Sequence, residues 1–175
     1  MDIAEPDPFA LFSLPRRLSL GKPEIEAAFL RLSREAHPDR FAGASGVERA
    51  KIERRSARVN DAFRTLRDPA ARAECLLRLS GVARPVSEAR CPPDLLAEVF
   101  ELRESIAEGR PGAAERARAL LAEAEGQLAA LFVRHDAEAD PAGRRAALTA
   151  VRGALDRRKF LAGLAREAES WPPGQ

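Results

Sequence analysis

The sequence predicts an all-α protein, a helix hairpin followed by a three-helix bundle. Ala, Leu, Arg and Glu dominate its 175 residues, tyrosine is absent and aromatic residues make up only 5%. These abundant side chains lose little rotamer freedom in a helix, so they favour helices over strands. Apolar residues also recur at helical spacing in several segments, and proline or glycine separates one segment from the next.

The first half of the chain predicts four helices. Pro15, Pro38 and Pro69 follow apolar periodic segments, and a proline disfavours helical backbone in the residue before it. Gly81 closes the last segment, as glycine commonly does at a helix end. Two of the helices are long and form an antiparallel hairpin, against which the two short ones pack. The predicted ranges are about 7–14, 23–37, 48–67 and 70–80.

A proline-rich stretch, "VARPVSEARCPPD", divides the chain into two parts. Beyond it, three helical segments with short connections predict an antiparallel bundle. These segments cover about 94–108, 113–138 and 141–169. The predicted organisation is a first domain at 1–80, a linker at 81–92, a bundle at 93–171 and a tail at 172–175.

Composition argues against several functional classes. There are 29 basic and 27 acidic residues, a balance too even to indicate nucleic-acid binding by itself. No apolar run is long enough to predict a membrane span. Cys75 and Cys91 form no CxxC pair, so neither a zinc site nor a disulfide framework is expected, and the setting should be reducing and cytoplasmic. Cys75 should be a small buried side chain, and His135 an ordinary surface or helix histidine.

The stretch "REAHPDRFAG" raises the first functional question, because His37 and Asp39 flank Pro38 where a helix ends. A metal site needs three or four converging ligands, and no second histidine or cysteine is near. A hydrolase needs a nucleophile and an oxyanion hole, and no motif for either is visible. We therefore expect no enzymatic activity, metal or cofactor. The remaining interpretations are a plain helix stop, with His37 capping the last turn, or a contact surface for another protein.

A second motif favours the contact surface. The segment "NDAFRTLRDPAAR" at 60–72 follows the His-Pro-Asp tripeptide at the distance that a helix hairpin requires, and together they resemble the J-domain, which recruits and activates DnaK-type chaperones. The matching positions of this segment are Asn60, Ala62, Phe63, Leu66, Asp68, Pro69 and Arg72.

The J-domain resemblance implies that the loop triggers ATP hydrolysis by the partner. Pro38 bends the chain so that the Asp39 carboxylate can accept charge-assisted hydrogen bonds from an arginine of the chaperone, and His37 orients the loop or contacts the partner. A positive face should steer the domain toward an acidic chaperone surface, although Glu26 and Glu35 interrupt it. The arginines of this face are Arg31, Arg34 and Arg40.

The first helix of the bundle has a second apolar face. Leu95, Val99, Leu102 and Ile106 form one stripe, while Leu96 and Phe100 lie about 100° and 140° away from Leu95 around the helix. Large apolar residues beside charged ones indicate either a protein-binding patch or packing against the other domain or a neighbouring helix. The segment "PDLLAEVFELRESIAEG" resembles the HscB-type co-chaperones of iron–sulfur cluster biogenesis, as do "DPFALFSLP" and "KFLAGL".

The HscB resemblance implies that this patch binds the scaffold protein on which an iron–sulfur cluster is assembled. The implied contact residues are Leu96, Phe100, Glu101, Arg103, Glu104 and Phe160. Two positions depart from the family pattern, since Ala97 and Arg158 stand where larger apolar residues are usual.

The predicted function is that of a co-chaperone, not an enzyme. It would deliver the scaffold to a DnaK/HscA-type chaperone and stimulate the chaperone's ATPase, with no nucleic-acid or membrane partner. One alternative keeps the J-domain with a different client. A second is an Arg-rich helical protein that binds nucleic acid, whose affinity would fall steeply with salt.

Overall fold

The computed structural model describes residues 7–35, 45–82, 91 and 93–170. Every regular element in these ranges is a helix, which confirms the all-α prediction, and the helix ends differ from the predicted ones by a few residues at most. The helices are α1 Pro8–Phe12, α2 Lys22–Glu35, α3 Gly46–Arg67, α4 Pro69–Leu79, α5 Pro93–Ala107, α6 Ala113–Ala137 and α7 Pro141–Ser170. The chain divides into two compact units, Met1–Leu79 and Ser80–Gln175.

Helix α1 is short because both of its ends are fixed locally. The Asp7 carboxylate accepts hydrogen bonds from the amides of Phe9, at 2.9 Å, and of Ala10, which satisfies two amides that the first turn leaves unpaired. At the other end Ser13 adopts a left-handed conformation with φ of 55° and stops the helix. Phe9 and Phe12 are fully buried, so this single turn contributes two aromatic rings to the core of the first unit.

Helices α2 and α3 form the predicted hairpin. The rings of Phe29 and Phe63 stack with centroids 4.1 Å apart, and Arg55 of α3 pairs with Glu35 at the end of α2 at 3.2 Å. Helix α3 begins with a capping box in which Ser45 and Glu48 exchange hydrogen bonds. The hydrogen bond from the Ser45 backbone, followed by that from its hydroxyl, holds the pKa of Glu48 below its ordinary value of 4.5.

The segment at 60–72 has a structural role in this unit. The Asp68 carboxylate caps α4 by accepting from the amides of Ala70 and Ala71, at 2.7 and 3.0 Å. Arg72 is buried, and its guanidinium donates to the carbonyls of Leu18 at 3.0 Å and Leu66 at 2.6 Å. This side chain therefore ties α4 to the end of α3 and to the connection between α1 and α2.

The second unit is the three-helix bundle. Helices α6 and α7 make the most extensive helix contact in the chain, and α5 packs on both. Helices α5 and α7 run in the same direction, because Asp94 pairs with Arg157 and, further along both helices, Arg103 pairs with Glu167. The buried core joining the three helices consists of Leu95, Val99, Leu102, Ile106, Ala113, Ala117, Leu120, Ala124, Leu161, Leu164 and Ala165.

The bundle buries a histidine whose burial its position in the sequence does not reveal. His135, near the end of α6, is a helix histidine but not a surface one, with its Nδ1 atom 2.9 Å from the Asp136 carboxylate. Cys75 in the first unit is buried as predicted, whereas Cys91 is half-buried and packs on the core of the bundle. Neither of these two cysteines forms a disulfide.

Candidate functional site

The predicted chaperone-contact loop, His37, Pro38, Asp39 and Arg40, lies outside the described residues. The helix that leads into it is described and presents Arg31 and Arg34 on its exposed side. Arg31 also has a structural contact, since its guanidinium donates to the carbonyl of Phe12 at 3.1 Å and so joins α2 to the end of α1.

The exposed side of α2 includes an apolar residue that was not predicted as part of the site. Leu30 is 54% exposed and lies one helical turn before Arg34. A helical projection could have identified it, because Leu30 lies about 140° from Ile25 and therefore outside the buried stripe of this helix. Leu30 therefore adds one exposed apolar side chain to the side of α2 that carries Arg34.

On α5 the two predicted faces are separate. Leu95, Val99, Leu102 and Ile106 are all buried, which confirms the core stripe. Leu96 is 54% exposed and Phe100 is 74% exposed, so neither side chain is packed away against a neighbour. They lie four residues apart and are adjacent on the helix surface. We call these two residues, with Phe160 of α7, the α5 patch.

Phe160 of α7 borders this apolar surface. It is half-buried and packs against the core of the bundle. Arg103 and Glu167 pair across α5 and α7, with Nε 3.5 Å from Oε2. The two helices are parallel, and seven residues make about two helical turns. Leu96 lies that distance before Arg103 on α5, and Phe160 lies the same distance before Glu167 on α7. The ion pair therefore sets the register that brings Phe160 level with Leu96.

The charged rim of the patch has two different parts. Arg103 is held by Glu167, so its charge is largely compensated. Glu101 and Glu104 are exposed, and neither carboxylate has an ion-pair partner among the described residues. The rim thus leaves two carboxylates available to a partner that carries positive charge.

The two departures from the family pattern have simple structural consequences. Arg158 pairs with Glu125 of α6 at 2.9 Å, and it lies about 200° around α7 from Phe160. The charge of Arg158 is therefore compensated by Glu125, on a side of α7 that does not face the α5 patch. Ala97 is exposed next to Leu96 and adds only a methyl group to the apolar surface.

No cluster of three or more His, Cys, Asp or Glu side chains that could hold a metal ion occurs in the described ranges. No helix within those ranges is both long enough and apolar enough to cross a membrane.

The chain is similar to several bacterial proteins described as "Co-chaperone protein HscB homolog". It is 41% identical to the Azoarcus sp. protein over 105 residues, which is 59% of each chain. It is 39% identical to the Cupriavidus taiwanensis protein over 119 residues, or 67% of this chain and 68% of that one. The Bordetella avium protein is 37% identical over 122 residues, or 69% and 71% of the two chains. The matches to the Azoarcus and Chromobacterium violaceum proteins span only about three fifths of the length of those relatives. No family model matches the chain.

Solved structures extend the similarity to nearly the whole chain. "Chaperone HscB from Vibrio cholerae" superposes with a TM-score of 0.70 and 28% identity, covering 94% of this chain and 96% of that one. Human co-chaperone protein HscB superposes with a TM-score of 0.77, covering 95% and 82% of the two chains. The human protein is 21% identical, so it supports the fold alone.

Proposed function

This chain belongs to the HscB family of co-chaperones, and we propose that it brings an iron–sulfur cluster scaffold protein to a DnaK/HscA-type chaperone. The bundle holds the scaffold and the J-domain half stimulates the chaperone's ATPase. The protein itself hydrolyses nothing and requires no metal or cofactor of its own. Cys75 and Cys91 form no disulfide, which fits the reducing, cytoplasmic setting that the sequence predicts.

The observation that carries the proposal is the exposure of Leu96 and Phe100 on a helix whose other face is fully packed. Leu96 and Phe100 are adjacent on the helix surface, and an exposed apolar patch with a polar rim marks a site of interaction with another protein. Aromatic residues are also enriched among the side chains that contribute most to protein interfaces. Glu101 and Glu104 would select a scaffold surface with positive charge near an apolar depression.

At the chaperone end, the proposed contacts are the His37-Pro38-Asp39 loop together with Arg40. The exposed side of α2 adds Arg31 and Arg34, and we include Leu30 because it is exposed and lies one helical turn from Arg34. The arginines would steer the encounter with an acidic surface, while Leu30 would add apolar area that does not depend on salt. Asp39 would accept hydrogen bonds from a chaperone arginine and so favour the arrangement that hydrolyses ATP.

The two halves act together through covalent linkage. A scaffold bound to the bundle is held near the chaperone that the J-domain half has engaged, which raises its effective concentration there. No chemical step is needed in this protein for that effect.

Two measurements test the two ends separately. Asp39→Asn should abolish stimulation of the chaperone ATPase without a change in unfolding, because it removes a charged acceptor and keeps the side-chain shape. Unchanged stimulation would remove the role assigned to the loop.

Calorimetric titration of the scaffold, with and without its cluster, tests the bundle. We expect a complex that Asp39→Asn leaves intact. No detectable complex, together with Asp39-dependent ATPase stimulation, would instead indicate a J-domain protein with a different client.

A further inference from the structure

The first unit contains a cleft that the proposed function does not use. It lies between α1, α3 and α4 and has a volume of about 220 Å³. Three of the lining residues are apolar, and the other groups are two arginines, one carboxylate, a hydroxyl and a thiol. The lining residues are Pro8, Leu11, Arg58, Asp61, Ala62, Thr65, Cys75 and Arg78.

Helix α3, which forms one side of the cleft, is strongly basic. It carries seven basic and three acidic residues, a formal surplus of four, although the whole chain has a net charge of only +2. Lys51, Arg54 and Arg58 lie within about 60° of one another around this helix, so they form a ridge along one face. We call these three residues the basic ridge.

The positive charge of the ridge is not compensated within the cleft. Lys51 and Arg58 have no hydrogen bond or ion pair with any residue that the structure describes. The acidic lining residue, Asp61, is itself paired with Arg64. Arg78 adds a second guanidinium to the lining. Arg58 both lines the cleft and belongs to the ridge, so the two are continuous, and the uncompensated charges are those of Lys51 and Arg58.

We propose that this cleft and the basic ridge bind an acidic protein segment that carries an apolar side chain. The apolar side chain would enter the cleft against Pro8, Leu11 and Ala62, and the acidic residues would lie along the ridge. The ridge spans about two helical turns, near 10 Å, which is the length of three extended residues. A peptide fits these features better than a nucleic acid, since no aromatic side chain for base stacking lines the cleft.

This surface is distinct from the proposed chaperone-contact side of α2. Phe63 stacks on Phe29 and marks the face of α3 that packs against α2. Arg58 lies about 140° around α3 from Phe63, so the ridge points away from that contact. The inference goes beyond the proposed function and does not depend on it.

The test uses the full chain and a fluorescent peptide of sequence Glu-Glu-Leu-Glu-Glu, with binding followed by anisotropy at low salt. Arg58→Glu should weaken binding by about tenfold, since one charge reversal beside an acidic ligand costs on the order of 1.4 kcal/mol. Arg49→Glu is the matched control, because it makes the same charge change on the same helix about 180° away, and it should leave binding unchanged.

A second protein variant and a variant of the peptide complete the test. Lys51→Glu should also weaken binding, which protects the conclusion if Arg58→Glu proves unfolded by circular dichroism. Replacing the central leucine of the peptide with serine should weaken binding if the cleft takes an apolar group. The inference is overturned if the wild-type chain shows no saturable binding, or if Arg49→Glu and Arg58→Glu have equal effects. Tighter binding of a short oligo-dT, with the same loss in Arg58→Glu, would overturn it in favour of a nucleic-acid surface.

Discussion

Substitution of Phe100 by alanine separates binding from folding. The side chain is 74% exposed in the free protein. An aromatic side chain buries about 150–250 Å² in an interface. Because about three quarters of the Phe100 side chain is exposed, about 150 Å² of it can be buried by a partner. At about 25 cal/mol per Å², burying that area contributes at most about 3–4 kcal/mol.

Part of this gain is offset by the ordering and desolvation that accompany binding. We therefore expect Phe100→Ala to weaken the scaffold complex by about 2 kcal/mol, or about thirtyfold, as for other aromatic residues central to interfaces. The free energy of unfolding should change by no more than about 0.5 kcal/mol, because little of the ring is packed in the free protein.

The assay is calorimetric titration of the scaffold, paired with urea unfolding of each variant. Val133→Ala is the matched control, since Val133 is 60% exposed on α6 of the same bundle and lies outside the α5 patch. Val99 is the buried residue that precedes Phe100. Val99→Ala should leave scaffold affinity unchanged and lower the free energy of unfolding by about 2 kcal/mol. An affinity within twofold of wild type for Phe100→Ala, or an equal loss for Val133→Ala, would refute the assignment of the patch.

Two further predictions concern the first unit. Arg72→Met should lower the free energy of unfolding by about 3 kcal/mol, measured by urea denaturation. The substitution removes the guanidinium that donates to two backbone carbonyls, so both carbonyls lose that hydrogen bond. An unchanged midpoint would show that those hydrogen bonds are dispensable. The pKa of Glu48 is lower in the folded than in the unfolded chain, so its contribution to stability is present above pH 4.5 and is lost as the pH falls through the folded value. Glu48→Gln should therefore be less stable than wild type at neutral pH, and the difference should shrink in acid; a constant difference would contradict the capping box.

Local signals in the sequence determined most of the fold correctly. Asp7, Ser45 and Asp68 each precede a helix and cap it, and such caps act over three residues, so a sequence can reveal them. The two faces of α5 were also predictable, because helical geometry fixes the angles between Leu95, Leu96 and Phe100 once a helix is assumed.

What the sequence could not supply were contacts set by the register between helices. The stack of Phe29 on Phe63 and the hydrogen bond from Arg31 to Phe12 join residues that are distant in the chain. The pairing of Arg158 with Glu125 likewise depends on how α7 lies against α6. That contact explains why position 158 can carry an arginine where the family usually has an apolar residue. The burial of His135 has the same origin, since tertiary packing and not its neighbours in sequence removes it from water.

We propose that one chain couples scaffold binding to chaperone activation. The most direct test is the chaperone's ATPase rate with this protein alone, with the scaffold alone and with both together. We expect the two proteins together to stimulate hydrolysis more than the sum of their separate effects, and this excess to disappear in both Asp39→Asn and Phe100→Ala. Purely additive stimulation, or an excess that survives either substitution, would contradict the coupling.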